Sequence, residues 1–171
     1  MTRWLAALLL ALAPAAAEAQ GTNTTVSIDA FVVGSPVTFL NLQELDFATV
    51  TRGVPKSVAY GTAAAGKVQV TGNSNAFAQI DFSLPNQLPN TQAPPGINMP
   101  ISFDATSAAW IRALDVAGAA NVFDPNSTTV GRFGPPPRPY LYVYLGGTVN
   151  PSLTQAAGIY QGTIILTITY L

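Results

Sequence analysis

Apolar and polar residues alternate at the C-terminal end of the chain. Every second position carries an apolar side chain: Ile164, Leu166, Ile168 and Tyr170. The intervening positions are mostly threonines, which predicts a β-strand with one face on a core. The aromatic and branched residues from Tyr140 to Leu145 predict an earlier strand. We therefore expect a C-terminal β-hairpin, with Gly146-Gly147 and Asn150-Pro151 supplying breaks between its two strands.

Similar short runs recur along the rest of the chain. The run from Thr25 to Val33 places four apolar residues on one parity: Val26, Ile28, Ala30 and Val32. Other predicted strands cover residues 37–42, 67–71, 77–84 and 101–103. Residues 107–116 fit a further strand, although 108–113 fit one helical turn equally well. The proline-rich stretch 85–100 fits a long loop or an edge crossed by short extended pieces. About eight short strands separated by turns indicate an all-β, antiparallel β-sandwich.

The first nineteen residues have the pattern of a cleaved signal peptide. Arg3 gives a positive start, Trp4 to Leu12 is apolar, and Ala17 and Ala19 provide small residues before a cut ahead of Gln20. A membrane-spanning helix is the alternative, but the apolar run is shorter than the roughly 20 residues that crossing a bilayer needs. We expect an exported chain with a single domain over residues 20–171 and no membrane span in the mature part.

Charge and composition limit the function classes. The net charge is −1 and only 9% of residues are charged, against roughly 25% in typical soluble domains. Without a basic cluster, we expect no binding to nucleic acid. A surface so poor in charge favours association with other protein chains.

The chain contains no cysteine and no histidine. Disulfides, Cys-His and Ser-His-Asp catalysis, and most zinc sites are therefore excluded. Asp104, Asp115 and Asp124 lack the spacing of a calcium loop, and are interpreted as loop carboxylates. We expect no enzymatic activity, no cofactor and no bound metal.

Two groups of aromatic residues are candidates for contact with a ligand or partner. Trp110 and Arg112 lie two positions apart, so in a strand they share a face and the guanidinium could stack on the indole. Tyr140, Tyr142 and Tyr144 likewise share a face. A stripe of this kind belongs to a core or interface more often than to a ligand site, and both interpretations stay open.

Five segments together resemble one protein family. They are residues 45–50 (LDFATV), 66–72 (GKVQVTG), 99–103 (MPISF), 145–149 (LGGTV) and 155–163 (QAAGIYQGT). They are similar to a group of secreted bacterial domains of uncharacterised function, related to the spore coat protein U-like domain and to chaperone–usher pilins. The resemblance covers nearly all of Val26 to Leu171, and the alternating last strand ending in tyrosine is its most specific part. This chain has Ala48 where the group usually has glycine.

The resemblance implies an immunoglobulin-like sandwich in the periplasm, at the cell surface or outside the cell, without enzymatic activity. In the pilin relatives a subunit lacks one strand and receives it from the N-terminal extension of the next subunit. The implied partners are copies of this chain or related subunits, a periplasmic chaperone and an outer-membrane usher.

The residues leave two hypotheses open for the run from Thr25 to Val33. It completes its own sandwich, or it is donated to a neighbouring subunit, where Val26, Ile28, Ala30 and Val32 would enter pockets. At the level of function, a pilin-like structural subunit stands against a monomeric sandwich that binds carbohydrate or another ligand. The first predicts an unsatisfied sheet edge or groove, and the second predicts an exposed aromatic platform near polar groups.

Overall fold

The computed structural model describes residues 36–171, which belong to a single compact unit of the chain. The predicted signal peptide and the run 25–33 lie outside the described residues. The strands are β1 (Thr38–Gln43), β2 (Lys56–Val58), β3 (Gly66–Thr71), β4 (Phe77–Ser83), β5 (Gln87–Pro89), β6 (Asn98–Ser102), β7 (Ala108–Arg112), β8 (Asn121–Phe123), β9 (Thr129–Arg132), β10 (Tyr140–Leu145), β11 (Gly147–Val149) and β12 (Ile165–Tyr170). A short 3₁₀ helix, Ala117–Ala119, precedes β8.

The strands form three antiparallel sheets. The first sheet has the order β1-β3-β10-β7-β8, the second β2-β11-β6-β5, and the third β12-β4-β9. The first and third sheets face each other across a buried cluster that includes Val70, Ile80 and Leu141, each fully shielded from solvent. Since side chains from both sheets fill this cluster, the predicted all-β, antiparallel sandwich is confirmed.

The predicted C-terminal hairpin is wrong. β10 pairs with β3 and β7 in the first sheet, whereas β12 pairs with β4 in the third. The chain leaves the first sheet at Gly146, where a Cβ atom would lie 2.2 Å from the carbonyl oxygen of Val58. Periodicity defines the two faces of a strand, but it carries no information about which strand lies beside it.

The predicted alternation in the last strand is confirmed. Leu166, Ile168 and Tyr170 pack against the main core, while the residues between them are exposed. The Tyr170 ring lies 5.7 Å from the Phe133 ring, centroid to centroid. Its hydroxyl accepts a hydrogen bond of 2.8 Å from the backbone N–H of Asn73, so the final tyrosine ties β12 to the turn between β3 and β4.

Two ambiguous stretches resolve into strands. Residues 108–113 contain strand β7 and no helical turn. The proline-rich stretch 85–100 contains β5 and the start of β6, which pair with each other at the edge of the second sheet. Prolines are tolerated there because an edge strand can lack one ladder donor. From residue 36 onward, no helix is long and apolar enough to cross a bilayer.

Candidate functional site

A long groove runs along one side of the sandwich, between β1 of the first sheet and β12 of the third. Each of these strands has a single neighbour among the described strands, β3 and β4 respectively. The groove has a volume of about 1680 Å³, and its lining includes Asn41 of β1 and Leu166 of β12. Two sheet edges with no further neighbour among residues 36–171 therefore border one depression.

The floor of the groove is apolar. It is formed by side chains from all three sheets: Val68, Phe82, Leu88, Met99, Ile101, Val143, Leu145 and Leu166. Met99, Ile101 and Val143 are each no more than 5% exposed. An occupant would thus meet the existing core directly, and its own apolar side chains would extend that core.

One wall of the groove is the segment 44–50, of which residues 45–50 were singled out by resemblance in the sequence. The backbone N–H of Asp46 donates to the Ala64 carbonyl at 2.9 Å, and its carboxylate accepts from the N–H of Ala48 at 2.7 Å. Ala48 has a φ of 49°, a left-handed conformation that glycine adopts more readily. Glycine at this position would relieve that conformation.

The other wall is residues 156–163, held by a buried polar cluster. The Gln155 amide donates to the Tyr160 hydroxyl at 2.7 Å and to the Asn98 carbonyl at 3.1 Å, and that hydroxyl donates to the Ala156 carbonyl at 2.7 Å. The Asn90 amide donates to the Ala157 carbonyl at 3.2 Å. Because Asn90 and Gln155 are nearly inaccessible to solvent, these bonds fix the wall instead of leaving it as a loose loop.

Strand β1 is exposed on both faces. Phe39 pairs with Val70, whose side chain is fully buried, yet Phe39 is 51% exposed and its neighbour Leu40 is 54% exposed. Adjacent strand residues point to opposite faces, so neither face of β1 is covered. Leu42, on the same face as Leu40, is also exposed.

The tyrosine stripe lies away from the groove, on the outer face of the first sheet. Tyr142 and Tyr144 are buried and Tyr140 is half-buried. The Tyr144 hydroxyl donates to Asp115 at 2.7 Å, and Asp115 also forms an ion pair of 3.0 Å with Lys67. With Ala109, Tyr142 and Tyr144 form a second small core, which leaves only Tyr140 partly available to a partner.

The Asp115 contacts shift the pKa of both hydrogen-bonded partners. Burial opposes the charged form of Asp115, but hydrogen bonds from Tyr144 and Lys67 and the lysine charge outweigh it, so the pKa of this carboxyl is lowered. Burial, followed by the hydrogen bond to Asp115 and its negative charge, raises the pKa of Tyr144. A phenol held protonated in this way is a poor nucleophile or base, and a structural role fits it better.

Trp110 and Arg112 share the inner face of β7, as their spacing predicted. Trp110 is partly buried against the main core, and Arg112 is exposed. Within residues 36–171, the cations that lie over aromatic rings are instead Lys67 over Tyr144 and Arg132 over Phe77, at 5.9 and 5.0 Å from the ring centroids. The stacking of Arg112 on Trp110 that the sequence left open is not formed.

The other two predicted carboxylates are bound within their own loops. Asp104 accepts hydrogen bonds from Thr106 and Ser107, and hydrogen bonds led by the Thr106 hydroxyl lower its pKa. Asp124 accepts from the backbone and side chain of Asn126. In the described part of the chain, no group of three or more His, Cys, Asp or Glu residues could hold a metal ion.

Sequence reasoning identified some parts of this site and missed others. The candidate donor residues Val26, Ile28, Ala30 and Val32 lie outside the described residues, so their role stays a prediction. The Asn90–Gln155–Tyr160 cluster was missed, although the segment 155–163 was singled out by resemblance. The sequence feature that could have revealed this cluster is the Gln155 amide close to Gly158 and Tyr160 in an otherwise apolar region.

Comparisons with known proteins add little to this geometry. No family model matches the chain, and no curated protein matches it. One similar solved chain belongs to a complex described as "Chaperone-tip adhesin complex is vital for synergistic activation of CFA/I fimbriae biogenesis". That match has 14% sequence identity and a TM-score of 0.42, and covers 79% of this chain and 42% of that chain. The chain thus spans less than half of the other's length, and this similarity assigns it neither a family nor a function.

Proposed function

We propose that this chain is an exported, non-enzymatic, pilin-like surface subunit that associates by β-strand addition. The observation that carries the proposal is the groove between β1 and β12, which has an apolar floor and is bordered by two strands that each have a single neighbour among the described strands. An extended segment placed there would form main-chain hydrogen bonds to an edge strand on each side. Its alternate side chains would enter the apolar floor, which is the usual chemistry of strand addition.

The proposed occupant is the segment 25–33, which contains four apolar residues at alternate positions. As a strand it would extend about 26 Å, at least as far as the six-residue strands β1 and β12. Val26, Ile28, Ala30 and Val32 would face the floor, and Thr25, Ser27 and Asp29 would face outward. The lack of cover on β1 supports this assignment, since Phe39 needs a neighbour on the groove side.

The segment has two possible destinations, its own groove or the groove of a second copy. The short link from residue 34 to the start of β1 suits a return onto the same chain by a tight turn. Extension of the same link away from β1 would deliver the segment to a neighbour, as in the pilin relatives implied by the sequence. A periplasmic chaperone and an outer-membrane usher are the further partners that donation would require.

An oligomerisation assay separates these destinations. The mature chain, residues 20–171, is refolded without partners and applied to size-exclusion chromatography in mild denaturant. Donation predicts a ladder of oligomers that survives the denaturant, because each link in the chain of copies contains a complete strand. A stable monomer contradicts donation and favours self-complementation.

Two matched variants test the strand-addition proposal itself. Ile28→Asp places a carboxylate on the floor-facing side of the segment, whereas Ser27→Asp places the same group on the outward side. We expect Ile28→Asp to abolish assembly and Ser27→Asp to leave it intact, because an unpaired buried charge is costly. Unchanged assembly in Ile28→Asp, with loss of monomer stability alone, would show that the donor hypothesis is wrong.

The second candidate function is a monomeric sandwich that binds a carbohydrate or another small ligand. It is favoured by a separate cleft beside Trp110 and Arg112. Ligand binding at the cleft is itself compatible with strand addition at the groove, since the two sites share no lining residue.

A further inference from the structure

A second cleft opens on the side of the sandwich that carries β8 and β9. These two strands end the first and third sheets at the edges opposite β1 and β12. The cleft has a volume of about 550 Å³, within the roughly 300–1,000 Å³ of small-molecule sites. Its lining shares no residue with that of the groove.

The charged residues that line this cleft are all cationic. They are Arg112 at the end of β7 and Arg132 at the end of β9. The guanidinium of Arg112 forms no hydrogen bond or ion pair with any described residue, and the ion pair seen in residues 36–171 lies elsewhere, between Lys67 and Asp115. In a protein with a net charge of −1, two guanidinium groups in a cleft lined by no acidic residue create a local positive potential that attracts an anion.

Arg132 is held in place by its surroundings. Its Nε atom donates to the Asn75 carbonyl at 3.0 Å, and its guanidinium lies over the Phe77 ring. Its terminal nitrogens make no hydrogen bond to the described residues, so they keep their capacity to donate. A planar guanidinium with a fixed orientation suits a carboxylate, which can accept two parallel hydrogen bonds.

The cleft also offers apolar and neutral polar groups. Trp110, Arg112 and Asn121 share the face of the first sheet that looks toward the third sheet, because Trp110 pairs directly with Asn121. Val130, from β9, is half exposed at the opposite side of the cleft. An indole beside an amide and a cation can pack on the apolar face of a sugar ring while the polar groups bind its substituents.

We propose that this cleft is a binding site for a carboxylate-bearing saccharide, such as a sugar acid at the end or within a glycan chain. The arginines would bind the carboxylate, and Trp110 would contact the ring. The Asn121 side-chain nitrogen already donates to the Trp110 carbonyl at 3.4 Å, so its side-chain oxygen would accept from a hydroxyl. An acidic peptide is a poorer fit, since β9 has only four residues and offers a short edge for main-chain pairing. A neutral sugar leaves both arginines without a counter-charge.

Tryptophan fluorescence provides a direct assay. The chain has two tryptophans, and with Trp4 absent through signal cleavage or a Trp4→Phe substitution, Trp110 is the sole emitter. Sialyllactose and a galacturonate oligosaccharide are titrated as the acidic probes, lactose as the neutral probe, and a glutamate-rich peptide as the competing class. We expect a saturable change with an acidic saccharide that weakens as salt is added, and none with lactose.

Matched arginine variants locate the site. Arg112→Gln should weaken the affinity for the acidic saccharide roughly tenfold or more. Arg132→Lys should also weaken this affinity, because lysine keeps the charge but cannot form two parallel hydrogen bonds to a carboxylate. Arg52→Gln, which removes a cation lining the groove instead, should change nothing. Circular dichroism confirms that each variant is folded.

Several results would contradict the proposed saccharide site. Equal binding of lactose, no saturable response to either acidic saccharide, or full affinity in Arg112→Gln would each overturn the proposal. Tighter binding of the glutamate-rich peptide would assign the cleft to a protein partner instead.

Discussion

Two strands of the same sheet, β10 and β1, differ in the number of their neighbours, and β1 also carries Thr38, Asn41 and Gln43 beside its apolar residues. Both have six residues, both pair with β3, and both contain several large apolar residues. Five of the six residues of β10 are buried, whereas five of the six residues of β1 are exposed. β10 lies at the centre of the sheet and is covered on both faces, while β1 borders the open groove.

The exposed apolar residues on β1 fit the proposal that a further strand lies beside it. A lone edge strand with Phe39, Leu40 and Leu42 exposed is an aggregation hazard unless something covers it. Natural edges are commonly protected by charge or proline, and β1 itself contains neither. The simplest account is that another strand belongs beside it.

The largest expected effect is a contrast in stability between these strands. Leu141→Ala in β10 removes a fully buried side chain and should lower the free energy of unfolding by about 2–5 kcal/mol. Leu40→Ala in β1 should cost less than about 1 kcal/mol in the monomer, because half of that side chain is already exposed. Urea unfolding of both variants measures the difference, and equal losses would show that Leu40 is buried in solution.

A second substitution tests whether the wall of the groove is rigid. Gly158 has a φ of 147°, and a Cβ atom there would lie 2.4 Å from the Asn90 side chain. Gly158→Ala should therefore destabilise the chain by roughly 1–3 kcal/mol and disturb the groove without touching β10. Gly118→Ala, where a Cβ would meet nothing within 4 Å, is the control, and an equal response in both variants would contradict a rigid wall.

The free energy of unfolding should depend modestly on pH through the Asp115 contacts on the covered face of β10. Hydrogen bonds and the charge of Lys67 outweigh burial and lower the pKa of Asp115, so its contribution is present above the unfolded value of about 3.9 and is lost as pH falls through the folded value. Asp115→Asn should cost about 1 kcal/mol or less at pH 7. Unfolding curves at pH 7 and in acid measure the difference in free energy of unfolding between the parent chain and Asp115→Asn. We expect this difference to be smaller in acid, and a larger difference there would contradict the stabilising role of the Asp115 carboxylate.

The smallest effect is expected at Ala48, in the other wall. Ala48→Gly relieves a left-handed backbone conformation, with φ at 49°, but adds flexibility to the unfolded chain. Relief of strain slightly exceeds the cost of the added flexibility, so we expect the free energy of unfolding to rise by about 0.5 kcal/mol. Thermal unfolding of this variant beside Ala63→Gly, which lines the same groove at an ordinary φ, separates relief of strain from added flexibility. Ala63→Gly should not be stabilising.

Much of the fold could be predicted from local pattern. Alternation located β12 and its buried face, and the runs 67–71 and 77–84 correspond closely to β3 and β4. The pairing of β10 with β7 and of β12 with β4 could not be predicted, because it depends on contacts between residues far apart in the chain. The break at Gly146 is decided by the backbone of Val58, which no local pattern reveals.

The sequence predicted that an open sheet edge or groove would exist, but it did not predict most of the residues that form it. The resemblance singled out residues 45–50 and 155–163, which became the two walls. The buried network of Asn90, Gln155 and Tyr160 depends on a contact between distant segments. Likewise, Arg132 joins Arg112 at the second cleft only because β9 comes to lie near β7, so the sequence pattern at Trp110 and Arg112 showed half of that site.

Amide hydrogen exchange tests most directly whether the segment 25–33 occupies the groove, in its own chain or in a second copy. Exchange is followed in refolded mature protein and in the Ile28→Asp and Ser27→Asp variants, at the backbone amides of β1, β12 and β10. We predict that β1 and β12 are protected in the parent chain and in Ser27→Asp but exchange rapidly in Ile28→Asp, while β10 stays protected in all three. Identical exchange of β1 and β12 in all three proteins would contradict the account.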